Sequence, residues 1–305
     1  MAFSDYISKN LDISFLYKFS ENIEVFIKRE DLIHPNISGN KYRKLKYNLL
    51  EAQKLQKQTL LTFGGAFSNH IAATAAAGKE FGFKTMGIIR GDELENNFQN
   101  NPTLRFAKNC GMELHFVSRD LYRQKNNPGF IEHIGISSQD IYILPEGGTN
   151  TLAVKGCEEI LNENDLSFDC LCVSVGTGGT LAGIVNSSQE HQNIIGFSAL
   201  KGDFLSEEIK KYISKTNWKI TDAYSFGGYG KINSELVSFI NKFKKETGIP
   251  LDPVYTGKMM FGISDLIKKG AFPKNSRILA LHTGGLQGIP GMNLLLQQKK
   301  LPIIE

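Results

Sequence analysis

Along most of the chain, short runs of apolar and β-branched residues alternate with longer stretches in which apolar side chains return every third or fourth position. The runs at 59–63, 84–90, 112–117, 170–175, 194–198, 218–223 and 277–282 read as strands, and 141–144 is a further short apolar run. The periodic stretches at 68–81, 102–109, 151–162, 180–189, 207–214, 232–245 and 258–269 read as helices. In the sixth of these, Ile232, Leu236, Phe239, Ile240 and Phe243 share one face. An apolar-polar run at 23–29 precedes another helical pattern marked by Leu45, Leu49 and Leu50. Strands alternating with helices of this length imply βαβ crossovers, a parallel sheet and the α/β class. The stretch 91–101 is polar and rich in Asn, and reads as a surface loop. No internal repeat, low-complexity tract or Pro/Ser-rich linker interrupts the pattern.

Composition adds three limits. A chain of 305 residues suggests about two domains. Its 35 basic and 31 acidic residues leave a net charge of +4. The doublets Lys210-Lys211, Lys244-Lys245, Lys268-Lys269 and Lys299-Lys300 lie in helical stretches, so solvated faces explain them and nucleic-acid binding is not expected. Cys110, Cys157, Cys170 and Cys172 show no C-x-x-C spacing, and H-E-x-x-H and H-x-H are absent, so no metal site is expected. Cys170 and Cys172, two apart on a strand, would share a buried face. Without a basic start, an apolar leader or a membrane-length run, the expectation is a reduced, cytoplasmic protein. Thirty glycines exceed the average of roughly 7%. Most of the excess sits in doublets, a sign of loops that bring backbone close to a ligand.

Four loops carry candidate chemistry. In Gly176-Thr177-Gly178-Gly179-Thr180, an apolar strand passes into a helix through glycines and two hydroxyls. That arrangement suits one phosphate at a helix start, although a tight turn without ligand explains it too. Both the P-loop and the dinucleotide fingerprint fail on spacing. Ser38-Gly39-Asn40-Lys41-Tyr42-Arg43-Lys44 opens a helix. There the helix dipole with Arg43 and Lys44 would disfavour an ammonium at Lys41, making it a nucleophile towards carbonyls; a solvated basic helix start is the plainer alternative. Gly64-Gly65-Ala66-Phe67-Ser68-Asn69-His70 joins a strand to an Ala-rich helix, with Ser68 either an N-cap or a ligand-facing hydroxyl. The fourth is paired: Asp252-Pro253-Val254-Tyr255-Thr256-Gly257-Lys258 with His282-Thr283-Gly284-Gly285, which Tyr229 could join unless both tyrosines are packing residues.

These motifs, in the chain order Ser38–Leu45, Gly64–His70, Gly176–Gly183, Asp252–Lys258 and His282–Gly285, resemble the D-cysteine desulfhydrase/1-aminocyclopropane-1-carboxylate deaminase family of fold-type II enzymes that use pyridoxal 5'-phosphate (PLP), relatives of the tryptophan synthase β chain. The resemblance runs from about Ile27 to Gly285. It implies two open, twisted, parallel-sheet domains of three αβα layers with the cofactor between them. The large domain would comprise 1–50 and 147–305, and the small one 51–146. It also implies that Lys41 joins PLP covalently, and that Lys44 with Gly176, Thr177, Gly178, Gly179 and Thr180 holds the phosphate. Asn69 would meet the ring hydroxyl, and Ser68 the substrate carboxylate and a proton. Tyr229 and Tyr255 would be the active-site tyrosines, and Thr256 and Thr283 would lie near the pyridine ring. A small amino acid as substrate and a homodimer are further implications.

Ring-opening deaminases of this group typically carry Glu after the second tyrosine and Leu after the strand-end histidine. Here those positions are Thr256 and Thr283. A hydroxyl beside the pyridine nitrogen supports a protonated ring less than a carboxylate does, which favours elimination of a good leaving group. The expectation is therefore β-elimination from D-cysteine to pyruvate, ammonia and sulfide. A 1-aminocyclopropane-1-carboxylate deaminase yielding 2-oxobutanoate and a catalytically idle PLP-binding protein are the alternatives. Asn101-Pro102-Thr103-Leu104 departs from the family's usual Gly-Asn before a leucine.

Overall fold

A computed structural model describes residue 3 and residues 7–17, 22–202 and 204–305. Its strands are β1 (Asn10–Asp12), β2 (Glu24–Lys28), β3 (Thr59–Gly64), β4 (Lys84–Arg90), β5 (Glu113–Val117), β6 (Ile141–Leu144), β7 (Cys170–Val175), β8 (Asn193–Ser198), β9 (Trp218–Thr221) and β10 (Arg277–Leu281). The helices are α1 (Asn40–Lys54), α2 (Asn69–Phe81), α3 (Pro102–Asn109), α4 (Arg119–Arg123), α5 (Phe130–His133), α6 (Thr151–Glu158), α7 (Gly179–Ser187), α8 (Phe204–Lys210), α9 (Ser234–Thr247), α10 (Thr256–Lys268) and α11 (Ile289–Gln298).

The strands form two sheets. One has six strands in the order β1-β2-β10-β7-β8-β9, the other four in the order β5-β4-β3-β6. Every pairing is parallel except that of β1 with β2. Both faces of each sheet are covered. On β7, Cys170 and Cys172 enter one core with α9, α10 and α11, while Leu171 and Val173 enter another with α6, α7 and α8. On β3, Leu60 packs with Leu45 and Leu49 of α1 and Ala73 of α2, while Leu61 and Phe63 turn to Tyr122 and Phe130. This double burial explains why β3 and β7 are wholly buried and read as continuous apolar runs.

The predicted strands and helices recur within a few residues, and the differences have local causes. The helix expected at 68–81 begins one residue later because Ser68 caps it, its hydroxyl accepting from the Ile71 amide at 3.3 Å; Gly82 ends it in the left-handed region. Helix α6 stops at Glu158, short of the expected 162, and an Asn162–Asp165 capping box opens a separate short turn. The stretch 91–101, expected as a loop, holds a 3-10 helix at Asp92–Asn100 with no buried residue. Strand β1 and helices α4, α5 and α11 had no prediction; three of them are five residues or shorter. All four cysteines are free thiols. Among the described residues no helix is long and apolar enough to cross a membrane, and no acidic, His or Cys cluster could hold a metal.

Candidate active site

A cavity of about 590 Å³ lies between the two sheets. Loops after β3, β6, β7 and β10 and the start of α1 all reach it. These are carboxyl ends of parallel strands, where open α/β sheets leave their ligand crevice.

The start of α1 is held by an unusually close backbone contact. Gly39 has φ +61°, and a Cβ there would stand 2.0 Å from the Thr283 carbonyl oxygen. Only glycine lets β10's end and α1 approach so closely. The Asn40 amide donates to that same carbonyl at 3.2 Å, which fixes the turn that aims Lys41 into the cavity. Among the described residues, Lys41 Nζ has a single weak hydrogen bond, to Asn40 Oδ1 at 3.3 Å. Burial, followed by repulsion from Lys44, lowers its pKa to about 7. Arg43, expected to share in this, turns away and clasps Glu30 at 2.9 and 3.0 Å. Desolvation does most of what the neighbouring charges were expected to do.

Lys44 reaches a cluster of hydroxyls near the start of α7. Its Nζ donates to the Gly147 carbonyl at 3.0 Å, to Thr149 Oγ1 at 2.9 Å and to Thr177 Oγ1 at 3.4 Å. The two threonine hydroxyls meet at 2.6 Å. Asn40 Nδ2 donates to Thr180 Oγ1 at 2.8 Å, tying α1 to α7. Helix α7 begins after Gly178, φ +87°, with no side chain capping its first turn, so its leading amides face the same place. One ammonium, a set of hydroxyls and open helix amides are a donor set for a phosphate dianion. Thr149 and the Gly147-Gly148 turn escaped the sequence reading; the only signal was a Gly-Gly-Thr after β6.

Across the cavity, Ser68, Asn69 and His70 line the wall at the start of α2. Asn69 Oδ1 accepts from Gln287 Nε2 at 2.7 Å. His70 is 1% exposed, and neither ring nitrogen has a hydrogen-bond partner. Burial, then the charges of Lys41 and Lys44, push its pKa well below the usual histidine value, so the ring is neutral. A buried imidazole with both nitrogens unpaired is costly unless a ligand meets it.

Tyr229 and Tyr255 stand edge to face, 6.1 Å between ring centroids. Desolvation within the cleft foremost raises the pKa of both phenols, although Tyr229 is 45% exposed and Tyr255 half-buried, so they remain hydrogen-bond donors at neutral pH. Tyr255 is placed by Asp252, whose carboxylate accepts from the Val254, Tyr255 and Thr256 amides at 2.7–3.2 Å. Thr256 departs from its expected place. It is fully buried, its hydroxyl donates to Asp252 at 2.9 Å, and it does not line the cavity. Thr283 does line it, with Ser174 Oγ 3.2 Å from its Oγ1. Gly176, Thr177, Gly178 and Thr180 also line the cavity, whereas Gly179 packs against Thr149.

A family model for pyridoxal-phosphate dependent enzymes matches residues 13–284. The chain belongs to that family. Its relatives include a Pyrococcus horikoshii protein provisionally named as a 1-aminocyclopropane-1-carboxylate deaminase, 32% identical over 90% of this chain and 89% of its own. The bifunctional D-cysteine desulfhydrase/1-aminocyclopropane-1-carboxylate deaminase of Arabidopsis thaliana is 31% identical, over 87% of this chain and 73% of its own. A crystal structure of an ACC deaminase homologue superposes with TM-score 0.77 at 28% identity, covering 93% of this chain and 90% of that one. The protein is thus a PLP-dependent enzyme of fold type II. The residues of this PLP-dependent enzyme fit the cofactor: an anion end at Lys44, a nucleophilic amine at Lys41 and an unpartnered imidazole lie in one cavity.

Proposed function

We propose that this enzyme is a lyase that removes the β-substituent of a small amino acid, with D-cysteine as substrate and pyruvate, ammonia and sulfide as products. The observation that carries the reading is the cleft's chemistry: a Lys41 amine near pKa 7 faces neutral donors, and the Ser174 and Thr283 hydroxyls stand at the ends of β7 and β10. Lys41 and Lys44 with the Gly176–Thr180 turn would hold PLP, and Asn69 would reach its ring hydroxyl. When bound, PLP supplies the electron sink that lowers the barrier to losing a proton from the substrate's α-carbon.

The chain's own groups do the rest. Ser68 and the first amides of α2 bind the α-carboxylate, which fixes the α-carbon against the lysine. With its amine half unprotonated at neutral pH, Lys41 takes the α-proton. The Cβ–S bond breaks with its electron pair on sulfur. Tyr229 and Tyr255, neutral at this pH, donate hydrogen bonds to that leaving atom. Water then converts the three-carbon remainder to pyruvate and ammonia.

Ser174 and Thr283 are hydroxyls, and Glu146 is the one carboxylate among the described cavity-lining residues. Its Oε1 accepts from Tyr122 at 2.9 Å, and Lys125 pairs with Oε2 at 3.2 Å. A floor of hydroxyls suits a good leaving group. Ring opening of 1-aminocyclopropane-1-carboxylate is the second reading, favoured by the names of the relatives.

Purified protein loaded with PLP should show a visible absorption band that Lys41→Ala abolishes. Offered D-cysteine, L-cysteine and D-serine, it should release pyruvate, fastest from D-cysteine, and it should release no 2-oxoacid from the cyclopropane amino acid. 2-Oxobutanoate from the cyclopropane substrate would select the second reading. Cofactor without turnover of any substrate would mean an idle binder, and protein that cannot be loaded would refute both. A homodimer belongs to the same proposal, and sedimentation equilibrium gives its test.

A further inference from the structure

Beyond the Tyr229 side, the cleft opens into a second cavity of about 210 Å³, lined by Arg90, Arg119, Tyr122, Arg123, Lys125 and Glu146. Arg90, Arg119 and Glu146 line both spaces, so the two are continuous. Four of the six lining residues are cations. Three of the four have carboxylate partners: Arg119 pairs with Glu93, Arg123 with Asp120, and Lys125 with Glu146 at 3.2 Å. Arg90 has none among the described residues. Its guanidinium lies over the Tyr122 ring, 5.7 Å from the centroid. It also stands 3.3 Å from where a side chain at Gly65 would begin, three residues before Ser68. Arg90 and Tyr229 both line the main cleft.

We infer that Arg90 forms an anion subsite for the substrate's β-substituent, so that the enzyme selects amino acids carrying negative charge there, a thiolate or a carboxylate. The inference rests on the lyase reading, in which Ser68 and the α2 amides take the α-carboxylate and leave the far end of a small amino acid pointing at Tyr229 and Arg90. A guanidinium without a protein carboxylate, on a wall that Gly65 keeps bare, is available for a bidentate charge-assisted contact. Glu146 does not cancel it, because Lys125 and the Tyr122 hydroxyl already occupy that carboxylate.

Aspartate and asparagine test this without turnover, since they differ in charge but hardly in size, and neither has a sulfur to lose. Each enantiomer of both is titrated into PLP-loaded protein, followed by the visible band and by calorimetry. For the enantiomer that binds, aspartate should bind at least about tenfold more tightly than asparagine. Arg90→Gln should bring that ratio close to one, and Arg90→Lys should restore part of it. Equal binding of the two amino acids by the wild-type protein would overturn the subsite whatever the variants do. So would a ratio that Arg90→Gln leaves intact, the result expected if Arg90 held the α-carboxylate or only braced the wall. If neither amino acid perturbs the loaded wild-type protein while D-cysteine does, the subsite falls and the lyase reading stands; if D-cysteine does not perturb it either, the lyase reading falls as well.

Discussion

A lysine amine drawn down to about pH 7 inside a protein has a thermodynamic consequence apart from catalysis. Lys41 in the unfolded chain titrates near 10.4. Below pH 7 it is charged in both states, and folding carries the full cost of burying that charge. Between pH 7 and about 10.4 the unfolded chain binds the extra proton, so stability rises with pH, and above that range the cost is gone. The cofactor-free Lys41→Met variant should therefore be more stable than the cofactor-free parent below pH 7. That advantage should close as pH rises towards 10. Urea unfolding at pH 6, 8 and 10 measures it, and a pH-independent difference would contradict the lowered pKa. At this scale the sequence showed which residues could matter but not their surroundings. Lys41, Lys44, Ser68 and Thr283 lie on the cavity as expected. Thr256 does not, because a helix start turns its hydroxyl back on Asp252. Arg43 and Arg90 exchange significance for the same reason: one finds Glu30, the other finds no carboxylate among the described residues. Partner choice over long sequence separations leaves no local pattern to read.

Elements were legible where their periodicity was clear, and four helix starts were legible to within two residues of the positions that a cap residue fixes in the structure. Asn101, Asn150, Asn233 and Ser68 each accept from an amide at the start of their helix. The turn carrying Tyr229 was not legible as a structure. Phe226, Gly227, Gly228 and Gly230 all have positive φ, an arrangement that local preference does not hold by itself. It is held by Lys258, one turn into α10, whose Nζ donates to the Ser225 carbonyl at 2.7 Å and the Gly228 carbonyl at 2.8 Å. Lys258 is buried, and its amine is drawn down to about 8 mainly by that burial. Helix α10 thus positions both tyrosines, Tyr255 through Asp252 at its start and Tyr229 through Lys258. Removing the ammonium leaves two carbonyls short of a donor, so Lys258→Met should cost about 1–3 kcal/mol of stability. It should also be coupled to Tyr229. In a double-mutant cycle on kcat/KM, Tyr229→Phe should cost less in the Lys258→Met background than in the parent, with a coupling above about 0.5 kcal/mol. Strict additivity would mean that Lys258 braces the core without positioning the tyrosine.

On the scale of the whole molecule, what local reading could not supply was the assembly of the sheets. Strand β10 lies between β2 and β7, so the six-stranded sheet takes strands from 10–28 and from 170–281, with the four-stranded sheet built from 59–144 in between. Periodicity gives no strand order; only the family resemblance pointed to a discontinuous unit. That topology makes the cleft a joint. The Gly176–Thr180 turn and Thr283 extend from the six-stranded sheet, while Ser68, Asn69 and the Gly147-Gly148-Thr149 turn extend from the four-stranded one; Lys41 sits on α1, which packs on the four-stranded sheet and is pinned at its start to the end of β10. A ligand that touches both groups binds the native arrangement and not the unfolded chain, so it stabilises by mass action, about 2.7 kcal/mol at a hundredfold excess over its Kd. Loaded protein should therefore melt several degrees above cofactor-free protein, in one cooperative transition that moves as a whole. Lys44→Met, which strips the anion end, should remove most of that increment at the same PLP concentration while leaving Lys41 in place. Differential scanning calorimetry with and without PLP reads both effects. Two resolved transitions, only one of which shifts with PLP, would show that the cofactor is held by the loops of a single sheet and that the cleft is not the joint described.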